Sequence, residues 1–444
     1  MAKRTLSRRD FLRLAGGTAM AMAAAQFLGA CGKPTETTPA TTEPSDQPPA
    51  TEAVVLRSLG QFRDELKNGF HEAYPNITVE DIPITGDKFE KLNTMFATGD
   101  PPDLFNTSDV NWCNDRDVAQ QQHTILDEFI TTDPDFNFED IYETIRKYMV
   151  MPDGHYHFVP QWVNSNVMAY NIDLFDAAGV PYPTKEWTWD DMVDAGIAMT
   201  KVDSSGMATQ YGKATTFGWW GEYYYYQRQA GLKDWLSEDG QEVFIDSPEA
   251  IEGIQFYLDC IFKHQMADKP GESLEGGFNG GGYAMWNFIH TGSWPGITEA
   301  GVHWDVMVPP KGARPEGGEL ALDSTAIGKG SKNVDAAWNF LKYSSGKAGG
   351  LVWVAIGVPP IRDSVAQETW IPRKGVPEYP VHPEIYFDAM PYNQPVFWAP
   401  GSWDAWDSIQ KRVDLMLEGK MTVEEGLKEA AQEMRDLIAS GGKS

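Results

Sequence analysis

Phe70-His71-Glu72-Ala73-Tyr74-Pro75-Asn76-Ile77-Thr78-Val79 holds the end of a helix, a stop and the start of a strand. Reading back from it, Phe62, Leu66 and Phe70 fall on one helical face, and Pro75, which fixes φ and has no N–H to donate, ends the helix. Reading forward, Ile77 and Val79 alternate as a strand, and Phe89, Leu92 and Phe96 mark a second helix. A short strand, Asp103 to Asn106, follows the turn Gly99-Asp100-Pro101-Pro102. Strand and helix alternating at this spacing predict a parallel α/β sheet.

The pattern continues downstream. Thr188-Trp189-Asp190-Asp191 has the form of a capping box, opening a helix whose apolar stripe is Trp189, Met192, Ala195 and Met199. Ser247-Pro248 opens another, with Ile251, Ile254, Leu258 and Ile261 on one side. Val334, Ala337, Trp338 and Leu341 form a third stripe. The chain closes on a helical pair: Trp406, Ile409, Val413 and Leu417 before Gly419, then a capping box at Thr422-Val423-Glu424-Glu425 leading to Leu427, Ala431, Met434 and Ile438. No internal repeat is visible. Residues 53–444 exceed what one hydrophobic core holds, so two or three domains are expected.

Before this body stands an address. Basic residues come first, then a weakly apolar run from Leu14 to Ala30 interrupted by Gly16, Gly17, Thr18 and Gln26, which makes a poor permanent span. Ser7-Arg8-Arg9-Asp10-Phe11-Leu12-Arg13 resembles the twin-arginine export motif, with Arg8 and Arg9 as its pair. Leu28-Gly29-Ala30-Cys31 resembles a bacterial lipobox, which predicts cleavage after residue 30 and acylation of Cys31. Eleven of the 21 residues 32–52 are Thr or Pro, with no large apolar side chain. Such a segment cannot bury enough surface to offset its ordering entropy, so residues 31–52 read as a tether. It reaches about 25 Å as a coil and about 65 Å as polyproline II.

The whole chain carries a net charge of −28. Residues 1–30 hold five basic residues and one acidic, so the processed chain has 31 basic against 63 acidic residues, a net −32. That field repels nucleic acid and anionic lipid head groups and keeps an exported protein in solution. Besides Cys31 only Cys113 and Cys260 remain, which gives no disulfide framework. Both read as small buried side chains.

Several segments together resemble the sugar-binding family of bacterial extracellular solute-binding proteins, the group that includes maltose-binding protein. They are Phe70 to Val79; Ala97-Thr98-Gly99-Asp100-Pro101-Pro102-Asp103; Tyr170-Asn171-Ile172-Asp173-Leu174-Phe175-Asp176-Ala177-Ala178-Gly179-Val180; Trp187 to Asp191; Ala284-Met285; and Ala336-Ala337-Trp338-Asn339-Phe340-Leu341. The resemblance implies a two-lobed α/β fold of the periplasmic-binding-protein type II class, with hinge strands and a ligand cleft between lobes that rotate closed. It places residues 53–163 and 306–360 in the first lobe, and 164–305 and 361–444 in the second.

Ligands of open α/β sheets sit beyond the carboxyl ends of the strands, so Thr107-Ser108-Asp109-Val110-Asn111-Trp112 is expected at the cleft. A carboxylate accepts hydroxyl hydrogen bonds while an indole covers the apolar face of a pyranose, and Asp109 with Trp112 suits a neutral sugar. Asp109 suits a helix cap equally well. Of the sixteen tryptophans, Trp189 and Trp338 lie on core stripes. Trp162, Trp219, Trp220, Trp294 and Trp398 lie in polar or Gly-rich segments and are candidates for stacking. The resemblance adds weight to Trp294, since the family follows its Ala-Met strand with Gly and then Trp, although the gap from Met285 to Gly292 is longer here. Trp286 shares that role or alternates in a strand. Asp323 and Arg362 fall where the family places polar ligand contacts.

Catalytic patterns are weak. Asp153, His155 and His157 alternate through Tyr156 to Val159 in a way that fits a strand better than a metal site. No His-Glu-x-x-His, phosphate loop or nucleophile elbow is present. The expectation is therefore a monomeric, non-enzymatic carbohydrate receptor without cofactor or metal. It is held by Cys31 on the outer face of the cytoplasmic membrane and serves the permease subunits of an ABC importer. The alternatives are a secreted carbohydrate-active enzyme, or a binder of a polyol phosphate or acidic sugar should Arg362 and a second cation meet in the cleft.

Overall fold

The computed structural model describes residues 52–60, 62–107, 121–151, 153–289, 293–315, 317–374, 379–395 and 399–440. β1 (Val54–Ser58) pairs in parallel with β2 (Ile77–Asp81), from Val54 opposite Ile77 to Ser58 opposite Asp81, and with β3 (Leu104–Asn106). The crossovers are α1 (Asp64–Ala73), burying Leu66 and Phe70, and α2 (Lys88–Ala97), burying Leu92 and Met95. Asp87 caps α2 by accepting from the Phe89 and Glu90 N–H groups. Phe62 precedes α1 rather than joining it. It is still buried, its ring 4.7 Å from that of Phe340.

After the short helix α3 (Glu143–Lys147), β4 (Val159–Ser165) and β5 (Val167–Asn171) run almost end to end. β4 pairs antiparallel with β10 (Gly318–Ile327) in the first sheet, while β5 pairs with β8 (Tyr283–Ile289) and β9 (Trp304–Met307) in a second sheet. Asn166 is therefore the crossing between sheets, its N–H bonded to the Glu319 carbonyl. The first sheet is ordered β11-β10-β3-β1-β2, with β4 also on β10, where β11 is Asn393–Gln394. The second is β6-β7-β8-β5-β9, with β6 (Lys201–Val202) and β7 (Ala208–Ala214). Parallel pairs dominate where the crossovers are helical. Strands that pass from one sheet to the other run antiparallel to their neighbours, so both sheets are mixed rather than purely parallel.

Helices cover the second sheet. α4 (Trp189–Met199) opens with the Thr188/Asp191 capping box, and Ser247 caps α6 (Pro248–Leu258). Between them α5 (Gly221–Ala230) is buried along all ten residues. α6 packs so closely on it that a Cβ at Gly253 would lie 2.2 Å from the Gln227 nitrogen. α7 (Trp294–Glu299) leads into β9, and α8 (Val334–Ser345) buries Ala337, Trp338 and Leu341 against the first sheet. The terminal pair, α9 (Ser402–Leu417) and α10 (Val423–Ala439), has its Thr422/Glu425 capping box and buries Ile409, Val413, Leu427, Ala431 and Met434. No described helix is long and apolar enough to cross a membrane.

Residues just past the expected lobe boundary of 360/361 pack on both sides of the crossing. The Trp370 ring lies 5.4 Å from that of Trp294, Tyr386 donates to the Val163 carbonyl at 3.1 Å, and β11 pairs with β10. Residues 361–394 thus touch both sheets.

Candidate functional site

Strand register decides where a cleft can be. Asn106, the last residue of β3, stands opposite Thr325; Ile289, the last residue of β8, stands opposite Val167, the first residue past the crossing; and Ala214, the last of β7, pairs with Trp286. The carboxyl ends of both sheets converge on the crossing strands, where ligands of open α/β sheets bind.

On the first-sheet side the register sets Trp162 opposite Asp323. Trp162 is half-buried, its ring 6.3 Å from that of Trp353. The Asn106 amide donates to Asp323 Oδ1, and the Lys88 ammonium donates to the Asn106 carbonyl at 3.1 Å and to its Oδ1 at 3.3 Å. The Asp323 carboxyl is enclosed closely enough that burial pushes its pKa up to about 7, against the opposing pull of Asn106 and Lys88.

On the second-sheet side, residues 215–220 connect β7 to α5 and are fastened from below. Lys213 and Glu222, each about 1% exposed, form a buried ion pair at 2.7 Å, and Glu222 also accepts from the Thr216 N–H at 3.0 Å. Asp268 accepts from the Thr215 N–H at 2.8 Å. Burial holds the Glu222 carboxyl above its usual range even with Lys213 beside it. The anchored segment carries Trp219 and Trp220, both half-buried, with rings 5.8 and 5.5 Å from that of Tyr225. Tyr225 in turn joins Asn166 at 2.7 Å and Glu319 at 3.1 Å, tying this aromatic group to the crossing. Trp286 is half-buried on β8 and donates from Nε1 to Thr216 Oγ1 at 3.2 Å.

The structure thus brings Trp162 and Asp323 together on one side, and Trp219, Trp220 and Trp286 on the other. Two expected contacts are placed elsewhere. Trp294 is 1% exposed within α7, its ring 5.7 Å from that of Trp304, 5.4 Å from Trp370 and 5.9 Å from Tyr386. The long stretch after Met285 carries it past the strand end into the core. Arg362 is buried and donates to the carbonyls of Ser345, Asn137 and Phe136 at 2.6, 2.8 and 2.8 Å, so its guanidinium holds a loop together. Asp109, Trp112, Trp398, Cys31, Arg8, Arg9 and Cys113 lie outside the described residues. Cys260 is buried, which pushes its thiol up to about 12.

Lys88, Asn106, Thr216 and the Lys213–Glu222 pair were not singled out from sequence. Only Glu222 left a signal, as a lone acid between Gly221 and the four tyrosines 223–226. Tyr156 to Val159 is less regular than expected, since β4 begins only at Val159. His155 and His157 instead pair with Asp127 at 2.7 Å and Asp153 at 2.8 Å. Among the described residues, no group of three His, Cys, Asp or Glu side chains is arranged to hold a metal. Half-buried indoles beside a carboxyl, an amide and a hydroxyl can stack on and hydrogen-bond a polyhydroxylated ring.

Solved structures share this architecture. An ABC substrate-binding protein of Listeria monocytogenes in complex with cycloalternan superposes with a TM-score of 0.70 at 24% identity, over 88% of this chain and 99% of that one. The sugar-binding protein MalE of Xanthomonas citri superposes with a TM-score of 0.72 at 17% identity, over 87% of this chain and 98% of that one. An arabinooligosaccharide-binding protein of Halalkalibacterium halodurans is 27% identical over 230 residues, 47% of this chain and 48% of its own length, so the match spans about half of that relative. The family model for bacterial extracellular solute-binding proteins matches residues 53–350, more than half of the sequence, and the chain belongs to that family.

Proposed function

We propose that the protein is the substrate-binding component of an ABC importer, capturing a mono- or oligosaccharide between its lobes and delivering it to membrane permease subunits. The observation that carries this reading is the set of half-buried indoles, Trp162, Trp219, Trp220 and Trp286, at the converging carboxyl ends of two sheets, with Asp323 beside Trp162. Indole faces suit the C–H faces of sugar rings, while the carboxyl and amide accept and donate to hydroxyls. The names of the cycloalternan-bound structure and the arabinooligosaccharide-binding relative favour the same ligand class. The polyol-phosphate or acidic-sugar reading rested on Arg362 reaching the cleft, and its guanidinium is committed to three carbonyls. In our reading the protein does no chemistry on the sugar, acts as a monomer, and is exported through Arg8 and Arg9 and anchored through Cys31.

A calorimetric screen of neutral, acidic and phosphorylated saccharides tests the proposal. A neutral sugar should bind stoichiometrically, be recovered intact after incubation, and make the particle more compact by solution scattering. Turnover of the bound sugar, or binding confined to acidic or phosphorylated ligands, refutes it.

A further inference from the structure

Among the described residues, the buried lysine and arginines are well matched, with one exception. Lys213 has Glu222 at 2.7 Å and the Ala214 carbonyl at 3.0 Å. Arg362 has three carbonyls, with Asp140 at 3.9 Å. Arg228, on the last turn of α5, is 2% exposed, yet its Nε has no hydrogen-bond partner. Nη1 makes one long contact of 3.5 Å to the Gln394 carbonyl, and the guanidinium carbon lies 5.5 Å from the centre of the Tyr224 ring. Removing a guanidinium from water without a partner is costly, so folded chains pair such groups or hold them for a ligand.

Arg228 lines a cavity of about 750 Å³, a size that takes a small metabolite. Lys147, Lys233 and Arg314 also line it, against Asp234 and Glu238. The Asp234 carboxyl already accepts from the Tyr224 hydroxyl and the Trp235 N–H. In a chain of net charge −28 this is a local excess of cations. Among the described residues, none of Asn106, Trp162, Trp219, Trp220, Trp286 or Asp323, which make up the sugar site proposed above, lines this cavity. Its walls come from α3, before the crossing at Asn166, from α5, beyond it, and from the segment around β11.

We propose that this cavity is a second site that binds a small oxyanion, a carboxylate- or phosphate-bearing solute, with Arg228 as its buried anchor. A guanidinium grips such groups through two parallel N–H donors, and the unpartnered Nε supplies one tine of that fork. Lys147, Lys233 and Arg314 add charge at the rim. Because the walls come from both sides of the crossing, an occupant also biases the angle between the lobes, and by linkage the sugar affinity.

The test is titration calorimetry of the purified protein with citrate and, separately, inorganic phosphate, at ionic strength held constant with chloride. At least one should bind saturably, and which one does identifies the anion class. Arg228→Met should weaken that binding by at least about tenfold, equivalent to about 1.4 kcal/mol. The exposed double substitution Lys147→Gln/Arg314→Gln, which disturbs no core, should weaken it severalfold. In chloride alone, Arg228→Met should melt no lower than the parent, since an unpaired buried charge has been removed. Absence of saturable binding by both anions overturns the proposal. So does a melting loss in Arg228→Met together with unchanged anion binding in the rim variant, which would make Arg228 a packing residue.

Discussion

Lys213→Met would test how the 215–220 segment is held. The substitution keeps an unbranched apolar stem of similar length but removes the ammonium that lies 2.7 Å from Glu222, leaving a carboxylate about 1% exposed that still accepts from the Thr216 N–H. Breaking a buried pair by deleting one partner costs about 3–5 kcal/mol. The loss depends on pH. The folded-state pKa of Glu222 is already raised by burial and rises further without Lys213, so at low pH the carboxyl is protonated in both folded and unfolded chains and carries no penalty. As pH climbs above the ordinary carboxylate value and through the raised one, ionisation favours the unfolded chain. Chemical denaturation should therefore show a large deficit at pH 8 and a smaller one at pH 5. Lys213→Met/Glu222→Gln should recover most of it, because a neutral amide oxygen can still accept from Thr216. Sugar affinity should fall in the single variant and return in the double, since Trp219 and Trp220 ride on this segment. A deficit of under about 1 kcal/mol at pH 8, or a double variant worse than the single, would refute the reasoning.

Trp294→Ala should cost about 3–5 kcal/mol of stability, as for a core aromatic, and leave the sugar affinity of the folded fraction unchanged. Trp220→Ala and Trp286→Ala should do the reverse, with small melting shifts and affinity falling about tenfold for each 1.4 kcal/mol of lost contact. For Asp323, whose folded pKa is raised to about 7, stability should decline as pH rises from the ordinary aspartate range toward neutrality. Asp323→Asn should flatten that decline in melting curves taken across the interval, and an unchanged slope would place the carboxyl in open solvent. Cys31→Ala should move the protein from the membrane fraction to the soluble envelope or medium, and fractionation indistinguishable from the parent would remove lipidation from the picture.

Short-range physics made much of the architecture legible. Pro75 ends α1 because it has no N–H for the ladder, and Thr188 and Thr422 open their helices because each hydroxyl accepts from the backbone three residues on. The stripe of α8 and the stripes of α9 and α10 follow from a period of 3.6, which any buried amphipathic helix obeys. Of the candidate site residues, Trp162, Trp219 and Trp220 drew notice through polar or Gly-rich flanks that set them apart from core stripes, and Trp286 and Asp323 only through the family resemblance; the structure sets all five near converging strand ends.

Burial of a single side chain, by contrast, depends on segments far away in sequence. Trp294 and Arg362 look like surface residues in their own neighbourhoods, and distant chain makes them otherwise. Trp370 and Tyr386 close over Trp294 from more than seventy residues downstream, and the carbonyls of Phe136 and Asn137 reach Arg362 from more than two hundred upstream. Lys88, Asn106 and Asp323 meet only because β10 returns antiparallel beside β3. The sequence by itself determined many of the elements, their caps and the family, because each is written in adjacent residues. Only the tertiary structure decided which candidate tryptophans are half-buried near strand ends and which pack inside, and that the buried Arg228 keeps an Nε with no hydrogen-bond partner, because strand register and inter-helix packing set those distances.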